Sequence, residues 1–155
     1  MLKNLLIVLL LFVASCGFKV VNISENSNFF IKEILTSGDK RINFKIKNNL
    51  LINSTSSSSN ILLIDLETNK TKNIKEKNIK NEVTKYEVTL ITKIRVSSIN
   101  QLIQPFIIDR SLSGDYLVNK NYSTTLSSEK KLVDNLIDEI TQKIINDINS
   151  KLNDI

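Results

Sequence analysis

The sequence predicts an α+β fold, a sheet with helical cover, and three observations carry that prediction. Residues 84–96 alternate apolar and polar side chains over a full strand length. The end of the chain carries one apolar stripe at helical spacing, from Leu132 to Leu152. Ahead of both, short apolar runs are separated by turn signals and by serine- and lysine-rich connections.

The chain opens with "MLKNLLIVLLLFVAS", in which Lys3 precedes a ten-residue apolar run, Leu5 to Ala14, and small residues lead into Cys16. This is the three-part pattern of a secretory signal, too short to span a bilayer. A lone cysteine is a small hydrophobe, a nucleophile or a lipid acceptor. Val13-Ala14-Ser15-Cys16 resembles a bacterial lipobox, in which diacylglycerol joins the cysteine sulfur and cleavage falls just before it. The alternatives are an uncleaved short anchor or a signal cut elsewhere. The chain has no histidine to act as base for a cysteine nucleophile, so catalysis by Cys16 is set aside. The expected organisation is a lipoprotein signal over residues 1–15, a lipidated N-terminus and tether over 16–28, and one domain over 29–155. The 140 residues after the signal suffice for a modest single core.

Within the domain, Phe29 to Leu35 reads as strand one, closed by Ser37-Gly38-Asp39. Residues 40–53 are ambiguous: Ile42, Phe44 and Ile46 alternate like a strand, whereas Ile42, Ile46 and Leu50 recur every four residues like a helix that Asp39 could cap. "STSSSS" (54–59) is a loop without a base or a nucleophile elbow. "NILLIDLET" (60–68) is a buried-strand run. Residues 69–82 read as a hairpin connection carrying Lys70, Lys72, Lys75, Lys77 and Lys80 into solvent, with an anion-contacting loop as the functional alternative.

In the strand at 84–96, Tyr86, Val88, Leu90, Ile94 and Val96 fall on one face and Lys85, Glu87, Lys93 and Arg95 on the other. Lys93 and Arg95 lie either on a solvated sheet face or on a ligand-contacting one. Residues 101–113 read as a further strand with Pro105 near its start, which Gly114-Asp115 would turn or bulge. Ser127 or Ser128 then caps a helix over 129–152, whose wide stripe suits packing on the domain's own sheet.

Composition narrows the function. With one cysteine and no histidine, disulfides within the domain and transition-metal sites are not expected, and no cofactor is implied. Asp109 and Asp115 read as strand and turn residues rather than an acid–base pair, so the protein is expected not to be an enzyme. The net charge of +5 includes Lys3 of the signal. Nucleic acid is disfavoured because the signal directs the domain out of the cytoplasm, which leaves anionic lipid or glycolipid as the partner class.

The order of these elements resembles the LPS-assembly lipoprotein family (LptE). The likeness rests on Cys16-Gly17-Phe18, on "IKEILTSGD" (31–39), on "VTKYEVTLITKIRV" (83–96), on "FIIDRS" (106–111) and on the helix from Glu129 to Ile148. It implies that residues 40–51 form a first helix. It also implies a two-layer α/β sandwich with two helices packed on one face of a four-stranded mixed sheet.

The resemblance further implies an outer-membrane lipoprotein of lipopolysaccharide transport, facing the periplasm. Such a protein plugs and helps assemble an LptD-type β-barrel translocon and assists lipopolysaccharide insertion into the outer leaflet. The alternative is a stand-alone envelope lipoprotein that binds lipid or glycan without a barrel partner. Gly17 after the acylated cysteine, rather than aspartate, implies sorting to the outer membrane. The family places basic contacts before its third strand, where Lys77 or Lys80 stands, and before its last helix, where this chain has "TTLSS" and Lys120 would have to substitute. Lys93, Arg95 and Arg110 complete the candidate contacts for lipopolysaccharide or a partner.

Overall fold

The computed structural model describes residues 27–100 and 103–154; the signal, Cys16 and the tether as far as residue 26 lie outside them. Strand β1 (Phe30–Gly38) leads into helix α1 (Lys40–Ile52), then into strands β2 (Ile61–Lys77), β3 (Val83–Ser98) and β4 (Phe106–Leu117), and finally into helix α2 (Tyr122–Asn153). The sheet order is β1-β2-β3-β4, with β1 parallel to β2 and the other pairs antiparallel. Both helices pack on one face of this four-stranded mixed sheet, which is the predicted fold class.

Residues 40–52 are a helix because the four-residue period buries more than the alternation does. Ile42, Ile46 and Leu50 are buried, whereas Phe44, the middle member of the strand-like pattern, is 65% exposed. The Asp39 carboxylate accepts from the Arg41 and Ile42 N–H groups at 3.0 and 3.1 Å and so caps the first turn.

The stretch expected as a charged connection is instead strand. Asn69 to Ile74 continue β2 opposite Ile91 to Tyr86 of β3, and only residues 78–82 turn. There the Asn78 N–H donates to Glu82 O at 2.9 Å, and Asn81 takes a positive φ of 64°. Backbone pairing with β3, rather than side-chain burial, holds this outer half of β2. Its polar composition therefore concealed it.

Two further boundaries shift. Strand β4 runs straight through Gly114, which pairs with Val88. A Cβ there would stand 2.6 Å from Leu132 Cδ1, so the missing side chain makes room for the helix rather than for a turn. Helix α2 starts seven residues before the expected Glu129, capped by Asn121, whose Oδ1 accepts from the Ser123 N–H at 2.9 Å. The extra turns carry exposed Tyr122 and Leu126, so they add little to the apolar stripe that marks the helix in the sequence.

The core lies between the layers. Leu62, Ile64 and Leu66 of β2 and Val88, Leu90, Ile94 and Val96 of β3 face Ile137, Ile140, Ile144 and Ile148 of α2, all at most 2% exposed. Each such side chain contributes about 1.5–3 kcal/mol when fully buried. Thr68 and Thr92 face each other in the middle of this layer, and neither Oγ1 has a hydrogen-bond partner in the protein.

Strand β1 flanks only half of the hairpin. Its ladder with β2 ends at Gly38 opposite Thr68, where the Asp39 N–H donates to Thr68 O at 2.8 Å and the chain leaves for α1. The proximal half, where the chain arrives at Phe29, has four strands and both helices. The distal half, ending at the β2–β3 turn, has three strands and the start of α2. Helix α2 spans both, and at the proximal end Asn149 Oδ1 accepts from the Asn28 N–H at 3.3 Å.

Gly38 is required twice: its φ is +87°, and a Cβ would meet Thr68 O at 2.2 Å. Gly38→Ala should therefore cost about 2–3 kcal/mol in urea unfolding. Gly114→Ala should cost less, because the atom it meets is the mobile end of Leu132. Thr92→Val, which removes an unpaired buried hydroxyl at nearly constant shape, should leave the unfolding midpoint unchanged or raise stability by about 1 kcal/mol.

Candidate functional site

Strand alternation sorts the cationic side chains onto distinct surfaces. On β2 and β3, Lys70 and Lys72 point to the helix side, while Lys75, Lys85, Lys93 and Arg95 point to the outer face of the sheet. The six candidate contacts consequently do not converge.

Lys77 and Lys80 stand at the distal tip. The Lys77 ammonium donates to Asn81 Oδ1 at 2.9 Å, and the Lys80 side chain is exposed on the turn that the Asn78 side chain organises. Lys120 belongs to the link between β4 and α2. That link runs beside the start of β3, where the Val118 N–H donates to Thr84 O at 2.9 Å. The structure thus places Lys77, Lys80 and Lys120 at the same end of the molecule.

Lys93 and Arg95 line a shallow groove of about 400 Å³ on the outer sheet face, with Leu35, Thr36 and Ser37 on one wall. Asp65 pairs opposite Arg95, Glu67 opposite Lys93, and Asp109 opposite Lys93 on the other side. Three carboxylates beside two cations more than offset their charge, so the groove is not a phosphate cradle. Lys75 lies on the same face, donating to Asp115 at 2.6 Å and Glu87 at 3.2 Å, and the hydrogen bond to Asp115 first, then that to Glu87, raises its pKa.

Arg110 is occupied. Its Nε and Nη2 donate to the two carboxylate oxygens of Asp147 at 2.7 and 2.6 Å, a bidentate fork that fastens β4 to α2 and raises the arginine's pKa. A phosphate at Arg110 would have to displace this carboxylate.

The sequence reading missed a cluster on the helix side of the distal half. The Lys72 ammonium donates to Glu129 Oε2 at 2.6 Å and lies 4.3 Å from the Tyr86 ring centre and 5.2 Å from that of Tyr116. The two rings stack at 5.7 Å, and the Tyr116 hydroxyl donates to the same Glu129 oxygen at 2.7 Å. Lys70 adds a second ammonium 3.8 Å from Glu129. Burial favours a neutral Glu129, yet the hydrogen bonds from Lys72 and Tyr116 prevail and lower its pKa. Burial likewise opposes the Lys72 charge, and Glu129 and Tyr116 raise its pKa in spite of it. Lys70, Lys72 and Ile74 do recur at period two, but the two lysines made that alternation look like a solvated loop.

Among the described residues, no group of three His, Cys, Asp or Glu side chains stands close enough to hold a metal ion, and no helix is long and apolar enough to cross a membrane. Cys16 lies outside the described residues.

No protein-family model and no curated protein matches the chain. Its fold does match solved structures. Rare lipoprotein B from Shewanella oneidensis superposes with a TM-score of 0.61 at 13% identity, over 79% of this chain and 97% of that one. Lipoprotein B from Nitrosomonas europaea gives 0.51 at 14% identity, over 86% of this chain and 91% of that one. The chain therefore shares its fold with these lipoproteins.

Glu129 links this cluster to pH. Its folded-state pKa lies below the unfolded value, so its contribution is present above the unfolded carboxyl pKa and is lost as pH falls through the folded one. Glu129→Gln should lower stability by about 1–2 kcal/mol at pH 7. The difference from the parent protein should shrink steadily below about pH 4.5 in thermal unfolding, as the carboxyl takes up its proton.

Proposed function

We propose that this protein is an envelope lipoprotein, attached through lipid on Cys16 to the outer membrane and facing the periplasm, and that it works by binding rather than by catalysis. In the finer reading it is an LptE-type component of lipopolysaccharide transport that plugs and helps assemble an LptD-type β-barrel and assists insertion of lipopolysaccharide into the outer leaflet. One observation carries the proposal: two helices on one face of a β1-β2-β3-β4 sheet, a fold shared with rare lipoprotein B, follow a lipobox-like Val13-Ala14-Ser15-Cys16.

The surface suits a polar enclosure. A plug in a barrel lumen needs an outer surface that water or polar side chains can satisfy, and around Lys75, Lys93 and Arg95 the outer sheet face interleaves acids and bases, with Leu35, Ile91 and Ile107 exposed among them. The distal tip supplies ammonium groups that form no ion pair among the described residues at Lys80 and Lys120, which suit the phosphates of lipopolysaccharide as point charges.

The deciding experiment is purification of a C-terminally tagged chain from its own or a related envelope in mild detergent, with Cys16→Ala as the anchoring control. A stoichiometric large β-barrel is the expected companion. A lipid-modified but solitary protein would remove the plug reading and leave a stand-alone lipid- or glycan-binding lipoprotein. Reversing Lys77, Lys80 and Lys120 to Glu should weaken capture of lipopolysaccharide by about tenfold, taking about 0.5 kcal/mol for each exposed charge. Arg110→Gln should act on thermal stability, through the lost Asp147 fork.

A further inference from the structure

Helix α1 has an outward face that the fold does not use. Phe44 is 65% exposed, Leu51 41% and Ile52 71%, and all three lie away from the buried Ile42, Ile46 and Leu50. The helix "KRINFKIKNNLLI" contains four cations and no acid. Lys45 pairs with Asp134 and Lys47 donates to Ile34 O, while Lys40 and Arg41 stand exposed without a carboxylate partner among the described residues. At 100° per residue, Arg41, Phe44, Asn48 and Leu51 share one outward stripe, with Lys40 and Ile52 at its borders. Exposed Phe44, Leu51 and Ile52 interleaved with cations and free of acids are the pattern of a helix that lies in a membrane interface.

The course of the chain says which membrane. Helix α1 runs back along β1 and ends beside the point where the described chain begins: the Thr55 N–H donates to Phe29 O at 2.9 Å, and Ser54 Oγ accepts from the Ile31 N–H at 2.8 Å. The segment between Cys16 and residue 27 spans at most about 40 Å when fully extended. A lipid on Cys16 would therefore hold this stripe within reach of the leaflet that contains it.

We propose that the outward stripe of α1, Phe44, Leu51 and Ile52 with Lys40 and Arg41, docks on the surface of an anionic phospholipid leaflet and orients the tethered domain there. The docking goes beyond the binding role proposed above and rests on that reading only for the lipid on Cys16. It fixes the proximal half against the leaflet, so that the domain is oriented before it meets any protein partner. The cations attract the surface over a Debye length of about 10 Å at 0.1 M salt, and the three apolar side chains enter the headgroup boundary.

The chain contains no tryptophan, so one introduced indole reports alone. Phe44→Trp places the reporter on the stripe, and Ile79→Trp, at a fully exposed residue of the distal turn, is the control. Each full-length variant, processed in an envelope and purified, is added to phosphatidylethanolamine–phosphatidylglycerol vesicles with brominated acyl chains and to phosphatidylcholine vesicles. The stripe reporter should shift to the blue and lose most of its emission on the anionic vesicles, with a smaller response at 1 M salt and on phosphatidylcholine. The distal control should change in neither.

A stripe reporter that stays water-exposed on vesicle-bound protein would overturn the docking. So would a Phe44→Trp protein whose emission is already shifted to the blue without vesicles and is insensitive to bromine, the sign that another segment or a second copy covers the stripe. Intact mass and vesicle flotation report the lipid separately. An unmodified chain whose stripe reporter is quenched would uphold docking and remove the lipoprotein reading. A lipid-modified, floating chain with an unquenched stripe reporter would do the reverse.

Discussion

The fold depends on one contact: the isoleucine stripe of α2 laid across the helix side of β2 and β3. A helix of 32 residues is about 48 Å long, and only a strand pair of comparable length can give it a continuous floor. Strands β2 and β3, of 17 and 16 residues, provide that floor. Strand β1 and α1 do not extend as far, and the molecule is built differently at its two ends. Proximally, Ile42, Ile46 and Leu50 join the isoleucines of α2 in an apolar core over the sheet. Distally the same helix is held by a carboxylate shared between lysines and a tyrosine. The change falls at Thr68 and Thr92, where β1 stops. A hydrophobic clamp and a polar one thus act in series along a single helix, and the polar one is the more sensitive to acid.

How much of this the sequence showed depended on whether burial or pairing held each element. Strand β3 was legible because Val88, Leu90, Ile94 and Val96 are all buried, and the gap at position 92 is filled by a threonine that fits a strand. The interior of α2 was legible for the same reason. Its first turns were not, since Tyr122 and Leu126 face outward. The outer half of β2 is polar on both faces and is strand because β3 is there to pair with it. Helix α1 lay between: its residues supported two periods, and the resemblance to a lipoprotein family, together with a capping Asp39, pointed to the correct one.

The candidate site was less legible still. Residue types identified cations, and nothing in their spacing told which were already engaged. Arg110 and Asp147 are 37 positions apart, and Lys72 and Glu129 are 57. Such pairs arise from strand register and from the side of the sheet on which a helix lands, neither of which a single sequence contains. Strand parity was readable in principle: once β2 is known to run to Lys77, alternation alone puts Lys72 under the helix and Lys75 on the open face.

The position of α2 after every strand sets the order in which the domain can form. Phe29, α1 and every strand precede it, yet the part of the inner sheet face that α1 does not cover stays open until residues 136–152 arrive. A chain emerging N-terminus first, from a ribosome or any other channel, would present that apolar surface to its surroundings until most of α2 had followed. Loss of a short stretch after Ile140 would undo an element that began to form more than 100 residues earlier in the chain.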